Sequence, residues 1–167
     1  MGAKWKMPPI VKIYEAIGAL GDGRVTIVDD THALVASSDA SKVYEVEVSD
    51  DGRIVSSNDN ASYWQGYLGY PGIAVLIMRG ILPRPSDEMV QALTGIEWKR
   101  INAKFRNDYE KTLAEVDARI ADRGGDTKEV RAQAEAALRS LKELEPEKGA
   151  RRRPPASGAS KQRGKGG

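Results

Sequence analysis

The chain has 167 residues, enough for one domain or for a small domain with an extension. It has no cysteine and one histidine, His32, which excludes disulfides, thiolate zinc sites, cysteine nucleophiles and His-rich metal centres. The formal net charge of +2 hides an asymmetry. From Lys148 onward seven basic residues stand without an acid, leaving 19 basic against 24 acidic residues before them, and such segregation suits a tether to nucleic acid or to another acidic surface.

The N-terminal stretch MGAKWKMPPI has no apolar run behind its lysines, so no signal peptide is expected. Lys6 breaks the myristoylation pattern that Gly2 would begin. No apolar run approaches the ~20 residues that span a bilayer. These features give a cytoplasmic expectation with no membrane partner. Residues 1–9 read as a loose arm in which Trp5 packs on the body.

Ile10, Ile13, Tyr14, Ile17 and Leu20 recur at helical spacing, and Gly21-Asp22-Gly23 ends that helix. Arg24–Val28 and His32–Ser37 read as a hairpin of two strands, with His32 as an exposed turn residue. Val43–Val48 alternates, with Tyr44, Val46 and Val48 on one side and Val43, Glu45 and Glu47 on the other. The Asp50-Asp51-Gly52 turn returns the chain into Arg53–Ser56. The acids of this meander read as a solvated face, since no EF-hand loop is complete.

Residues 56–72 begin with turn formers and end with Tyr63, Trp64, Tyr67 and Tyr70. Core packing is the first reading of these aromatics and base stacking the second. Pro71 suits the first turn of a buried helix through Ile73–Met78. Pro83 and Pro85 mark a boundary, and Ser86 caps a short helix. A longer helix runs from Ile96 to Asp122, with Trp98, Ile101, Phe105, Tyr109, Leu113, Val116 and Ile120 on one stripe. Gly124-Gly125 turns the chain into a last helix, capped by Asp126-Thr127. From Glu147 onward the Pro, Gly, Ser, Lys and Arg composition predicts disorder.

The expected fold class is α+β: a small antiparallel β-meander with a buried helix, followed by an α-helical hairpin and a disordered basic tail. The segments are 1–81, 82–146 and 147–167.

Gly23-Arg24-Val25, Tyr44-Glu45-Val46, the Asp51-Gly52 turn, the loop with Asp59, and Ile73-Ala74-Val75-Leu76 together resemble a SWIM domain, a ββα zinc module. The resemblance implies DNA or protein binding. The family's C-x-C positions fall on Val55 and Ser57, or on Ser56 and Asn58, and its C-x-H positions on Tyr70 and Gly72. None of these residues is a thiolate or an imidazole, so the expected form is degenerate and zinc-independent, with the aromatic group in place of the metal.

The functional expectation is therefore a non-catalytic nucleic-acid-binding module. Its candidate contacts are Arg151, Arg152, Arg153, Lys161, Arg163 and Lys165 in the tail, with Trp64 and Tyr67 for stacking. The alternative is an assembly subunit docking a protein partner through residues 96–146. No cofactor, metal or small-molecule substrate is expected, and no enzyme activity. Gly18-x-x-Gly21-x-Gly23 does not follow a strand, no phosphate-loop lysine is present, and Asp59 beside Ser62 and Tyr63 reads as structural.

Overall fold

In the computed structural model residues 2–156 are described. Helix α1 (Val11–Gly21) precedes a meander of β1 (Val25–Ile27), β2 (His32–Ala36), β3 (Val43–Val48) and β4 (Ile54–Ser57). A single π-helical turn at Ala61–Gln65 leads into α2 (Tyr70–Met78). Four helices follow: α3 (Asp87–Leu93), α4 (Trp98–Lys104), α5 (Tyr109–Asp122) and α6 (Thr127–Leu144). A two-residue strand, β5 (Glu147–Lys148), closes the chain back onto the sheet, whose order is β1-β2-β3-β4-β5. The class is α+β, and the sheet is mixed because β5 runs parallel to β4.

Strand alternation sets the two faces of the sheet. Ala33 pairs with Val46 and Val35 with Tyr44, and all four are buried. Leu34 pairs with Glu45 and His32 with Glu47 on the outer face. The inner face meets α2, which packs beside α1. A helix apolar all round belongs inside, and Pro71–Ile77 is buried without interruption. One buried cluster runs from Trp5 to Leu141 and draws residues from both sides of Pro83. The apolar stripes of α5 and α6, including Val116, Ile120, Val130, Ala134 and Leu141, lie inside it. Ser86, which caps α3 by accepting from the Met89 N–H, exchanges two hydrogen bonds with Gln133 of α6.

Three expectations are corrected. The helix expected over 96–122 is two helices. Arg106 and Asn107 take left-handed φ values of 52° and 64°, and Asp108 caps the new start. Asn tolerates that backbone region and Asp favours an N-cap, so the pair breaks the helix without Gly or Pro. The stripe continues across the break, which is why periodicity alone hides it.

The N-terminal arm is not loose. Trp5 N–H donates to the Pro146 carbonyl at 3.0 Å, Lys148 N–H to the Ala3 carbonyl at 2.7 Å, and Lys6 N–H to the Gly66 carbonyl at 3.0 Å. Trp5 is buried and its Nε1 donates to the Val55 carbonyl. The tail is ordered further than its composition suggests. Glu147–Lys148 pairs with Ile54 and Val55, and Gly149 N–H donates to the Val55 carbonyl. Backbone hydrogen bonds to a sheet edge do not need apolar side chains. Residues 149–156 have no regular structure.

Candidate functional site

Trp64 is the most exposed large apolar side chain among the described residues, at 68%. It stands on the π turn, and its ring meets that of Tyr63 edge-on, with centroids 4.7 Å apart. This corrects the core-packing expectation for Trp64. The four aromatics do not form a substitute for a metal cluster, since Tyr63, Tyr67 and Tyr70 are only part-buried.

What holds the loop is polar. Asp59 is buried, and its Oδ1 accepts from Ser57 Oγ at 2.6 Å and from Ser62 Oγ at 2.7 Å. Its Oδ2 accepts from the Ser62 N–H, while Ser62 Oγ in turn accepts from the Gly69 N–H at 2.9 Å. A buried carboxylate survives when its lone pairs are met this way. Gly66, at φ 80°, ends the turn in the left-handed conformation that glycine adopts without strain. Leu68, fully buried, then anchors the start of α2. The positions where a SWIM module carries its ligands are packing or hydrogen-bonding sites. Val55 is core, Asn58 Oδ1 accepts from the Glu45 N–H, and Gly72 abuts Leu68. No three of His, Cys, Asp or Glu come together as a metal site among the described residues.

Trp64 and Gln65 form the ridge shared by two cavities, of about 720 and 400 Å³. The smaller is lined by Trp5, Tyr63 and the cations Lys6, Lys148 and Arg151, with no acid. The Arg151 guanidinium lies 4.0 Å from the centre of the Tyr63 ring and donates to the Tyr63 carbonyl. The Lys148 ammonium sits 5.2 Å over Trp5. Both are cation–π contacts on the π turn's flank.

The larger cavity is lined by the cations Lys12, Arg24, Lys42 and Lys99 against a single acid, Glu15. Its walls include Tyr44, Tyr67, Tyr70 and Tyr109. Lys12 and Glu15 face one another across one turn of α1 at 3.4 Å, both nearly buried. Asn102 Nδ2 also donates to Glu15, and the Lys12 ammonium lies 4.9 Å over the Tyr109 ring. Burial works against the Lys12 charge, but Glu15, Tyr109 and Tyr67 outweigh it and hold its pKa above the ordinary lysine value. Burial pushes Tyr44 and Tyr67 up to about 12, so both are neutral donors at physiological pH. Burial likewise raises Tyr70, against the pull of Arg24. Arg24 donates to Asp22 and to the Ala36 carbonyl. Its Nη2 and the Trp98 Nε1 are buried without a hydrogen-bond partner among the described residues.

Of the sequence candidates, Trp64 lines both cavities, Tyr67 the larger and Arg151 the smaller. Arg152 lines neither: it crosses the outer sheet face and pairs with Glu47 at 2.9 Å and Glu45 at 3.7 Å. Arg153 is exposed, and Lys161, Arg163 and Lys165 lie outside the described residues. Lys6, Lys12, Glu15, Arg24, Lys42 and Tyr109 were not singled out from sequence. Lys12 and Glu15 did carry a signal, as the charged pair inside the apolar run from Ile10 to Leu20.

Residues 5–147 match the family described as Uncharacterised conserved protein UCP014422. The chain belongs to that family. The match begins at buried Trp5 and ends in β5, so it covers the whole of the larger cavity and the Trp64 turn, while Lys148 and Arg151 fall just beyond it. No curated protein and no solved structure matches the chain.

Proposed function

We propose that the protein is a non-catalytic, cytoplasmic module that binds single-stranded nucleic acid along the Trp64 ridge. The observation that carries this reading is an exposed tryptophan between two cavities whose linings are cationic, on a body whose first 147 residues hold more acids than bases. A body of that charge would repel a polyanion everywhere except where cations are gathered. Single strands are bound by such pairings of a backbone-tracking basic groove with an aromatic platform, each stacked base contributing about 1–3 kcal/mol. The likeness of residues 24–80 to a SWIM module, in a zinc-independent form, points the same way.

The second reading, assembly with a protein partner through residues 96–146, draws less support because the apolar stripes of α5 and α6 are buried within the chain. Intrinsic fluorescence tests the first. Trp5 and Trp98 are buried, so quenching on addition of an unlabelled oligonucleotide reports Trp64. Quenching that saturates in the wild type and vanishes in Trp64→Phe is expected. An oligonucleotide that leaves the emission unchanged at low salt would count against the proposal.

A further inference from the structure

The larger cavity has room for more than a strand passing over it. Its volume of about 720 Å³ falls in the range of small-molecule sites, roughly 300–1,000 Å³. Its floor and its rim differ in a way that suits one kind of ligand.

At the floor, Glu15 is already committed. Its carboxylate accepts from Lys12 Nζ at 3.4 Å and from Asn102 Nδ2 at 3.1 Å. The Lys12 ammonium is held by this long bond to Glu15 and by Tyr109, whose ring centre lies 4.9 Å away. Arg24 brings a second cation under the same wall, paired with Asp22 at 3.1 Å and with Nη2 unpartnered among the described residues. Toward the rim, Lys99 is 44% exposed and shared with Asp39 at 3.4 Å, while Lys42 has no acidic partner among the described residues. Lys12, Arg24 and Lys99 each have an acid within the protein, Glu15, Asp22 and Asp39, so the cation left without one among the described residues is Lys42. Tyr67, Tyr109, Asn60 and Asn107 line the cavity between floor and rim, with the Lys12 ammonium over the Tyr109 ring. Aromatic rings, amides that can both donate and accept, and a lysine pair at the rim of which Lys42 has no acid partner among the described residues are complementary to a base joined to a phosphate.

We propose that this cavity binds a nucleoside monophosphate, its base against Tyr67 and Tyr109 and its phosphate met by Lys42 and Lys99 at the rim. The choice of ligand rests on the single-strand reading above, whereas the charged, aromatic cavity stands on its own geometry. The same chemistry is presented by a free nucleotide and by the phosphorylated end of a strand.

Isothermal titration calorimetry of the full chain with adenosine, guanosine, cytidine and uridine 5′-monophosphates tests this. At least one should bind with a stoichiometry of one and lose tenfold or more in affinity in Lys42→Ala/Lys99→Ala. That variant alters part-exposed residues and should keep the wild-type melting curve, whereas Lys12→Met strands Glu15 and puts the fold at risk. Competition between the bound nucleotide and a 5′-phosphorylated oligonucleotide, but not its 5′-hydroxyl form, would identify the strand end as the source. A nucleotide that binds and competes with neither would identify the free nucleotide. Either result supports the cavity. A nucleotide that binds while no oligonucleotide does would keep the cavity and overturn the groove. No binding of any of the four at millimolar concentration, or equal binding by the double variant, would overturn the cavity, whatever the oligonucleotides do.

Discussion

Gly69 stands against the Asp59 carboxylate with no room for a methyl group: a Cβ at Gly69 would fall 1.9 Å from Oδ2. That approach closes the loop between β4 and α2, and the loop presents Trp64. The polar knot of Asp59, Ser57 and Ser62 is thus the structural support of the exposed ridge.

Gly69→Ala should destabilise the protein by about 2–3 kcal/mol, since the added methyl overpacks a site walled by a buried carboxylate. Asp59→Ala should cost about 1–3 kcal/mol by leaving the buried Ser57 and Ser62 hydroxyls without their acceptor. Urea melts of both variants check this. A Gly69→Ala protein as stable as the wild type would mean that the loop relaxes freely.

The Lys12–Glu15 pair on α1 predicts a pronounced non-additivity. Lys12→Met leaves a nearly buried carboxylate with its cation gone and should cost about 3–5 kcal/mol. Lys12→Met/Glu15→Gln removes both charges, and the double variant should recover most of that loss. Chemical denaturation of Lys12→Met, Glu15→Gln and the double variant gives the coupling; a double variant no more stable than Lys12→Met would show that the pair is not electrostatically linked.

Tyr44 and Tyr67 give the fold an alkaline limit. Their pKa values, pushed up to about 12 by burial, lie above that of an unfolded tyrosine, about 10. Below pH ~10 both states are protonated and the contribution is complete. Between about pH 10 and 12 the unfolded chain ionises first, so stability falls as pH rises. Denaturation midpoints measured across that window should drop in the wild type and drop less in Tyr44→Phe/Tyr67→Phe.

The C-terminal segment from Glu147 to Gly149 is part of the fold. Ending the chain at Pro146 removes the Glu147, Lys148 and Gly149 backbone donors that tie it to Arg53, Ala3 and Val55. The expected cost is about 2–4 kcal/mol, at roughly 1 kcal/mol per hydrogen bond. Thermal melts of this truncation beside the full chain check the cost.

The meander, the buried α2 and the helical hairpin were legible because each is a periodicity with punctuation. Val43–Val48 alternates before Asp51-Gly52, and Pro71 opens an all-apolar run. The break at Arg106-Asn107 was not legible because its stripe continues and its only signals are an Asn and an Asp. The pinning of the arm and of β5 was hidden because it is made by backbone groups, which carry no side-chain pattern. Trp64 was visible as a candidate, but its exposure follows from the π turn and the Asp59 knot. The cavity beside it joins α1, the meander, α2, α4 and α5, whose sequence separation no local pattern spans. Tyr67 was visible as a candidate, and the other sign was Lys12 and Glu15, two charges between apolar neighbours in α1.

The central claim is tested most directly by fluorescence anisotropy of a labelled single-stranded oligonucleotide with wild-type protein and Trp64→Ala, across a salt series. Trp64 is exposed, so the variant should melt like the wild type, within about 0.5 kcal/mol. The wild type should bind at low salt, with log K falling by roughly 2–3 per decade of salt if Lys6, Lys148, Arg151 and Lys42 meet phosphates. Trp64→Ala should bind at least fivefold more weakly with a similar salt slope, as loss of a stacked base predicts, about 1–3 kcal/mol. Binding that is absent in the wild type, or identical in Trp64→Ala, would contradict the account.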